Sequence, residues 1–103
     1  GNDWIVVQLG TSGFVDEIEI DTAHFKGNFP DMCSIQAALV EKGFDVNSAE
    51  NWKELLPKQS LSADAIHKFK KEIANDFGPV NAIRLNIYPD GGVSRLRIFG
   101  KAV

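Results

Sequence analysis

Apolar and polar residues alternate strictly near the C-terminal end of the chain. Ile83, Leu85 and Ile87 interleave with Arg84, Asn86 and Tyr88, and beyond Pro89, Asp90, Gly91 and Gly92 a second run sets Leu96 and Ile98 against Arg95 and Arg97. Successive side chains of a strand point to opposite faces. The pattern therefore predicts two strands around a glycine-rich turn, a β-hairpin with its five aliphatic residues buried. With residues 89–92 as the loop, Tyr88 faces Val93, Asn86 faces Arg95 and Arg84 faces Arg97. Like charges directly across a strand pair repel, so three arginines on one face ask for an anion or for carboxylate partners.

Upstream, the same pattern continues with interruptions. Residues 4–9 are strand formers that stop at a turn signal, Gly10 to Gly13. Residues 14–21 follow as a half-buried strand, with Ile18 and Ile20 on one face and Glu17, Glu19 and Asp21 on the other. Residues 22–31 read as a loop broken by Gly27 and Pro30. Residues 33–40 predict a third strand with Cys33, Ile35 and Ala37 inward, and residues 43–57 a polar excursion containing Trp52, Leu55, Leu56 and Pro57. Ile66, Phe69 and Ile73 fall at helical spacing behind Ser62, a candidate cap, with Asp64 in the first turn. Periodicity there predicts a helix over residues 62–75. The count is about five strands, few for a sandwich that closes both edges.

Composition narrows the class. A chain of 103 residues with 44% apolar and 24% charged residues fits one small globular domain. The net charge of −3, with both signs interspersed, gives no reason to expect nucleic acid or an anionic membrane as partner. No apolar run approaches the roughly 20 residues that span a bilayer, and the opening residues show no leader peptide. The single cysteine, Cys33, forbids an internal disulfide and fits a reducing compartment. A cytoplasmic location is the expectation.

Candidate chemistry concentrates in two places. The loop after Asp21 holds His24, Lys26 and Asn28: an imidazole that transfers protons near neutrality, a cation for a carboxylate, and an amide suited to a urea-like group. Loops held by a rigid sheet are where binding side chains gather, although a solvated surface loop explains these residues as well on spacing alone. The second place is the arginine face, which Glu17, Glu19 or Asp21 could instead neutralise. His67, among Lys68, Lys70 and Lys71, reads as an exposed surface residue, and Cys33 as a small apolar one. Two distant histidines and no cysteine pair give little support for a metal site, and no P-loop, dinucleotide fingerprint or nucleophile elbow is present.

Four stretches taken together, residues 21–31, 33–36, 52–57 and 83–97, resemble the allantoicase family in its own order. The version around His24 to Asn28 and the Leu55, Leu56, Pro57 stretch are similar to the second of that family's two homologous repeats. The resemblance implies an all-β fold, a jelly-roll β-sandwich of the galactose-binding-like kind, here incomplete at its N-terminal side. It implies hydrolysis of allantoate to ureidoglycolate and urea, with a homologous partner repeat and a homo-oligomer. It also places residues 67–71 in a strand, against the helical periodicity.

Allantoate carries one carboxylate and two ureido arms on a central carbon. A site for it needs cations, amide-like groups and a proton for the departing urea. By resemblance, Arg84, Arg95 and Lys26 suit the first need, Asn28 and Asn86 the second, and His24, Asp31 or Asp90 the third. A divalent metal such as manganese assists in some members, without ligands specified here. The competing expectation is a non-catalytic ligand-binding sandwich of discoidin or carbohydrate-binding type, since a fold does not fix a function.

Overall fold

The computed structural model describes every residue except 1, 2, 28, 42, 44, 47, 48, 75, 76 and 90. Six strands are present: β1 (Asp3–Asp21), β2 (Met32–Ala38), β3 (Lys53–Ser60), β4 (Ile66–Phe69), β5 (Val80–Tyr88) and β6 (Arg95–Ala102). They form one antiparallel sheet in the order β3-β2-β5-β1-β4, and β6 also pairs with β1. The fold is a curled, all-β sandwich. Among the described residues no helix is long and apolar enough to cross a membrane.

β1 organises the molecule. Its first part pairs with β5, from Asp3 opposite Ile87 to Gln8 opposite Ala82. Its second part pairs with β6, from Gly13 opposite Ala102 to Asp21 opposite Arg95, and Ile18 to Asp21 also pair with β4. Residues 10–13 are therefore not a turn. The register slips between Gln8 and Gly13, a bulge that bends one strand of 19 residues from one layer into the other. Both layers close over a single core that contains Ile18, Ile20, Cys33, Ile35, Leu56, Ile83 and Leu85. Along Asp3–Gln8 the edge opposite β5 has no strand partner among the described residues.

The expected hairpin does not form. β5 and β6 are not partners: β5 lies between β1 and β2, and β6 lies against the far part of β1. Alternation fixed the faces correctly, since Ile83 and Leu85 are buried and Ile87, Leu96 and Ile98 pack on the core. Pairing depends on which edges meet in three dimensions, which a period of two leaves open.

In place of the predicted helix over residues 62–75, residues 62–74 form a loop, the short strand β4 and a turn, and residue 75 lies outside the described residues. Pairing with β1 overrides propensity here. The His67 ring is a strut in this arrangement: Nδ1 donates to the Ile20 carbonyl at 3.0 Å, and Nε2 accepts from the Ser62 backbone N–H at 2.9 Å. Ser62 is thus engaged by His67 instead of capping a helix, and His67 is half-buried, not a free surface residue. Part of the expected polar excursion is β3. Its Pro57 lacks a ladder donor, which is tolerated because β3 is the edge strand of its layer. Register slips in β2 against β3 go with Leu55 and Leu56 both being buried.

Cys33, Ile35 and Ala37 face inward as expected. Burial pushes the Cys33 thiol from 9.0 up to about 12, because the thiolate is poorly solvated in the core. Two results are expected. The native chain should resist a disulfide thiol reagent that labels it readily in denaturant. Between about pH 9 and 12 the unfolded chain releases this proton and the folded chain keeps it, so stability should fall as pH rises through that window. Urea titrations at rising pH check this, and Cys33→Ala should flatten the slope.

Candidate functional site

Two groups of polar residues stand on the scaffold. The first is a row on the outer face of the layer that contains β5. Arg84, Asn86 and Tyr88 share that face, opposite the core-facing Ile83 and Leu85. The β2 register sets Gln36 against Arg84, Ser34 against Asn86 and Met32 against Tyr88, while β1 brings Trp4 against Asn86. Asn86 Nδ2 donates to Ser34 Oγ at 3.3 Å and to Gln36 Oε1 at 3.4 Å, and Ser34 Oγ meets Tyr88 Oη at 3.1 Å. The Lys58 ammonium sits 4.3 Å from the Tyr88 ring centre.

Arg84 is the exception in this satisfied row. Its guanidinium carbon lies 4.8 Å from the Trp4 ring centre, a cation–π contact that holds the plane of the group. Its Nε is buried without a hydrogen-bond partner, and no carboxylate of the described residues forms an ion pair with it. A buried donor left without a partner is costly. This cation has unused hydrogen-bonding capacity.

The second group is the loop between β1 and β2, pinned from several sides. Buried Thr22 donates its backbone N–H to the Ala65 carbonyl at 2.9 Å, and its Oγ1 accepts from the Ala65 N–H at 3.1 Å and lies 2.7 Å from the Ser62 carbonyl. Asp64 Oδ1 accepts from the His24 N–H at 2.8 Å, and both residues adopt left-handed backbone, with φ of 48° at Asp64 and 72° at His24. Ser94 bonds the Asp21 and Ala23 carbonyls. Gly91 and Gly92 allow the loop to close: a Cβ on Gly91 would strike the Pro30 backbone nitrogen at 2.4 Å, and one on Gly92 the Phe25 ring at 2.1 Å. The backbone is thus fixed while His24, Lys26 and Asp31 remain exposed.

The structure separates the expected arginine face. Arg95 pairs opposite Asp21 and Arg97 opposite Glu19, on the β1 and β6 side of the fold. Arg97 reaches Glu19 at 3.8 Å and Lys70 reaches Glu17 at 3.4 Å, so acidic residues on β1 answer these cations. The cleft among Glu19, Asp21, Ile66, Arg95 and Arg97 is about 10 Å³, room for no more than a single water. Neither Arg84 with Arg97 nor Asn86 with Arg95 forms a cross-strand pair. Asn28 and Asp90 lie outside the described residues.

Of the sequence-predicted site residues, Arg84 and Asn86 come together in the row. His24, Lys26, Asp31 and Arg95 border the loop end, where Asp31 immediately precedes Met32, the partner of Tyr88. Sequence reasoning missed Trp4, Ser34 and Gln36. A signal existed: Ser34 and Gln36 are polar at a spacing of two inside an otherwise apolar strand. Among the described residues no three histidine, cysteine, aspartate or glutamate side chains converge to hold a metal ion.

Comparison with known proteins is consistent over the whole chain. The family model described as allantoicase repeat matches residues 1–103. A probable allantoicase of Stutzerimonas stutzeri is 56% identical and aligns with 100% of this chain and 32% of its own length. One from Photobacterium profundum is 54% identical, over 97% of this chain and 31% of its own. The crystal structure of an allantoicase from Saccharomyces cerevisiae superposes with a TM-score of 0.79 at 35% identity, covering 97% of this chain and 28% of that one. The chain thus spans about a third of the curated relatives it matches.

Proposed function

Because the chain belongs to the allantoicase family, we propose that it acts as one repeat of a larger enzyme that hydrolyses allantoate to ureidoglycolate and urea. Water adds to the central carbon, the bond from that carbon to one ureido nitrogen breaks, and a proton goes to the departing urea. The observation that carries the assignment of residues is Arg84, whose buried Nε has no hydrogen-bond partner and which makes no ion pair among the described residues. In this reading it holds the substrate carboxylate, and Asn86 acts from beneath through Gln36 because it is only 4% exposed.

With the carboxylate on Arg84 and an arm laid toward Tyr88, the departing urea lies at the loop end. Asp31 is the proton donor favoured by that pose, with His24 of the same loop able to replace it. Lys26 and Arg95 border the same end and contact the second arm. The partner repeat and a homo-oligomer supply the remaining walls.

The test is urea release from allantoate by this chain alone and by a chimera that joins it to the other two thirds of the Stutzerimonas stutzeri relative, each with and without manganese. The chimera should turn over and the chain alone should not. Arg84→Ala in the chimera should lower kcat/KM by about 10- to 100-fold, the worth of one charged hydrogen bond. A folded chimera that releases no urea would refute the reading. Unchanged kinetics in Arg84→Ala, with loss instead in Arg95→Ala or Lys26→Ala, would move the carboxylate to the loop end.

A further inference from the structure

Two consecutive amides link the end of the loop between β1 and β2 to a histidine that the reaction does not use. The Leu61 N–H donates to the Asp31 carbonyl at 2.8 Å. The next amide, the Ser62 N–H, donates to His67 Nε2 at 2.9 Å. The ring is anchored on its other side to β1, where Nδ1 donates to the Ile20 carbonyl at 3.0 Å. We propose that His67, in its neutral form, is a positioning residue for the reaction: it holds Ser62 and, through Leu61, holds Asp31 at the loop end. This rests on the allantoate reading for the role of Asp31 as proton donor, and it adds a residue that never meets the substrate.

The partners of the ring fix its proton count. A backbone carbonyl can only accept, so Nδ1 beside Ile20 carries a hydrogen. A backbone N–H can only donate, so Nε2 beside Ser62 carries none. Ser62 Oγ, 3.1 Å from the same Nε2, can supply a second donor. A proton on Nε2 would point at the Ser62 N–H, and two donors cannot bond each other. An imidazole takes up its second proton between about pH 8 and 5, so the link to Ser62 is present at the upper end of that range and lost at the lower.

No neighbouring charge substitutes for this link. His67 pairs with Ile20 and shares its face. Glu19 and Asp21 alternate to the other face, where they border a cleft with Ile66, Arg95 and Arg97, and Lys68 pairs with Glu19. Asp64 Oδ1 is taken by the His24 N–H, and Lys70 is held by Glu17 at 3.4 Å. The ring makes no ion pair among the described residues. Other parts of the loop have ties that bypass His67: Thr22 exchanges hydrogen bonds with Ala65, and His24 is held by Asp64. Asp31 is exposed and makes no ion pair of its own among the described residues, so the effect of His67 concentrates there.

The test follows imidazole nitrogens and backbone amide exchange of this chain by NMR from about pH 8 to 5. At the upper end His67 should carry its hydrogen on Nδ1 and none on Nε2. As the ring takes up its second proton, the protection of the Leu61 and Ser62 amides should fall about tenfold or more, while Thr22 and Ala65 keep theirs. His24→Asn is titrated in parallel, so that the second imidazole contributes nothing. His67→Gln, which can still accept from Ser62 but does not titrate in this range, should abolish the pH response. His67→Phe should leave Leu61 and Ser62 unprotected at every pH. In the chimera it should lower kcat about tenfold and leave KM unchanged, with His67→Gln restoring most of the loss. The proposal is overturned by a hydrogen on Nε2 at the upper end, by Leu61 and Ser62 amides indifferent to the ring, or by a pH response that survives in His67→Gln. If His67→Phe does not fold, the titrations of the parent and His67→Gln decide. Indifferent amides with an active chimera refute the positioning role alone, and coupled amides with an inactive chimera refute the hydrolase reading alone.

Discussion

Ile20→Ala is expected to destabilise the chain by about 2–5 kcal/mol, the range for truncating a large aliphatic residue that leaves a cavity. Ile20 is fully buried, at 0% exposure. It lies in the second part of β1, opposite His67 of β4 on one side and Leu96 of β6 on the other. Three strands meet at this residue, so their side chains cannot all move to fill the void. The His67 strut also ends on the Ile20 carbonyl, so backbone relaxation there would disturb a second contact. Ile5 is the control: it lies on the same strand but is 58% exposed, and Ile5→Ala should cost no more than about 0.5 kcal/mol. Urea unfolding of both variants measures the difference. Equal losses would mean that the two parts of β1 do not differ in packing.

Gly100→Ala should be nearly as damaging, through crowding and not through a void. Gly100 pairs with Val15 where β6 crosses β1. An added Cβ would stand 1.8 Å from the Phe14 carbonyl oxygen and 3.1 Å from Val15 Cα. Both are backbone atoms, so no side chain can rotate away, and β6 must separate from β1. A loss of about 3 kcal/mol, at the upper end for overpacking, is expected. Gly10→Ala meets nothing within 4 Å and should change stability by less than about 1 kcal/mol. Comparison of thermal midpoints checks the pair. A Gly100→Ala chain as stable as its parent would mean that β6 is not closely seated.

Faces were legible in the sequence and partners were not. Alternation around Ile83, Leu85, Leu96 and Ile98 gave inward and outward positions that the fold bears out, because period two is a property of one strand. Which strand lies beside it is decided by long-range edges. The helix expected at residues 62–75 failed for a related reason. Ile66, Phe69 and Ile73 are spaced for a helix, yet Ile66 is exposed while Phe69 and Ile73 are buried, because pairing with β1 and a following turn decide which of them turns inward. The resemblance to the family carried strand information that local periodicity did not.

The candidate site divides in the same way. Arg84 and Asn86 were recoverable because they share one strand and one face. The separation of Arg84 from Arg95 and Arg97 was invisible, since it follows from β1 taking the two strands at different points along its length. Ser34 and Gln36 gain meaning only beside Asn86 and Arg84, and that neighbourhood spans two strands distant in sequence.

One further property follows from the long first strand. Because β1 supplies ladder partners to β5 in one layer and to β4 and β6 in the other, neither layer can be peeled away as an independent unit. Release of its middle breaks hydrogen bonds in both layers at once. The molecule is therefore wired as a single cooperative block, in which a perturbation at Gly13 is felt in the exchange protection of Val80 and Ala102 alike.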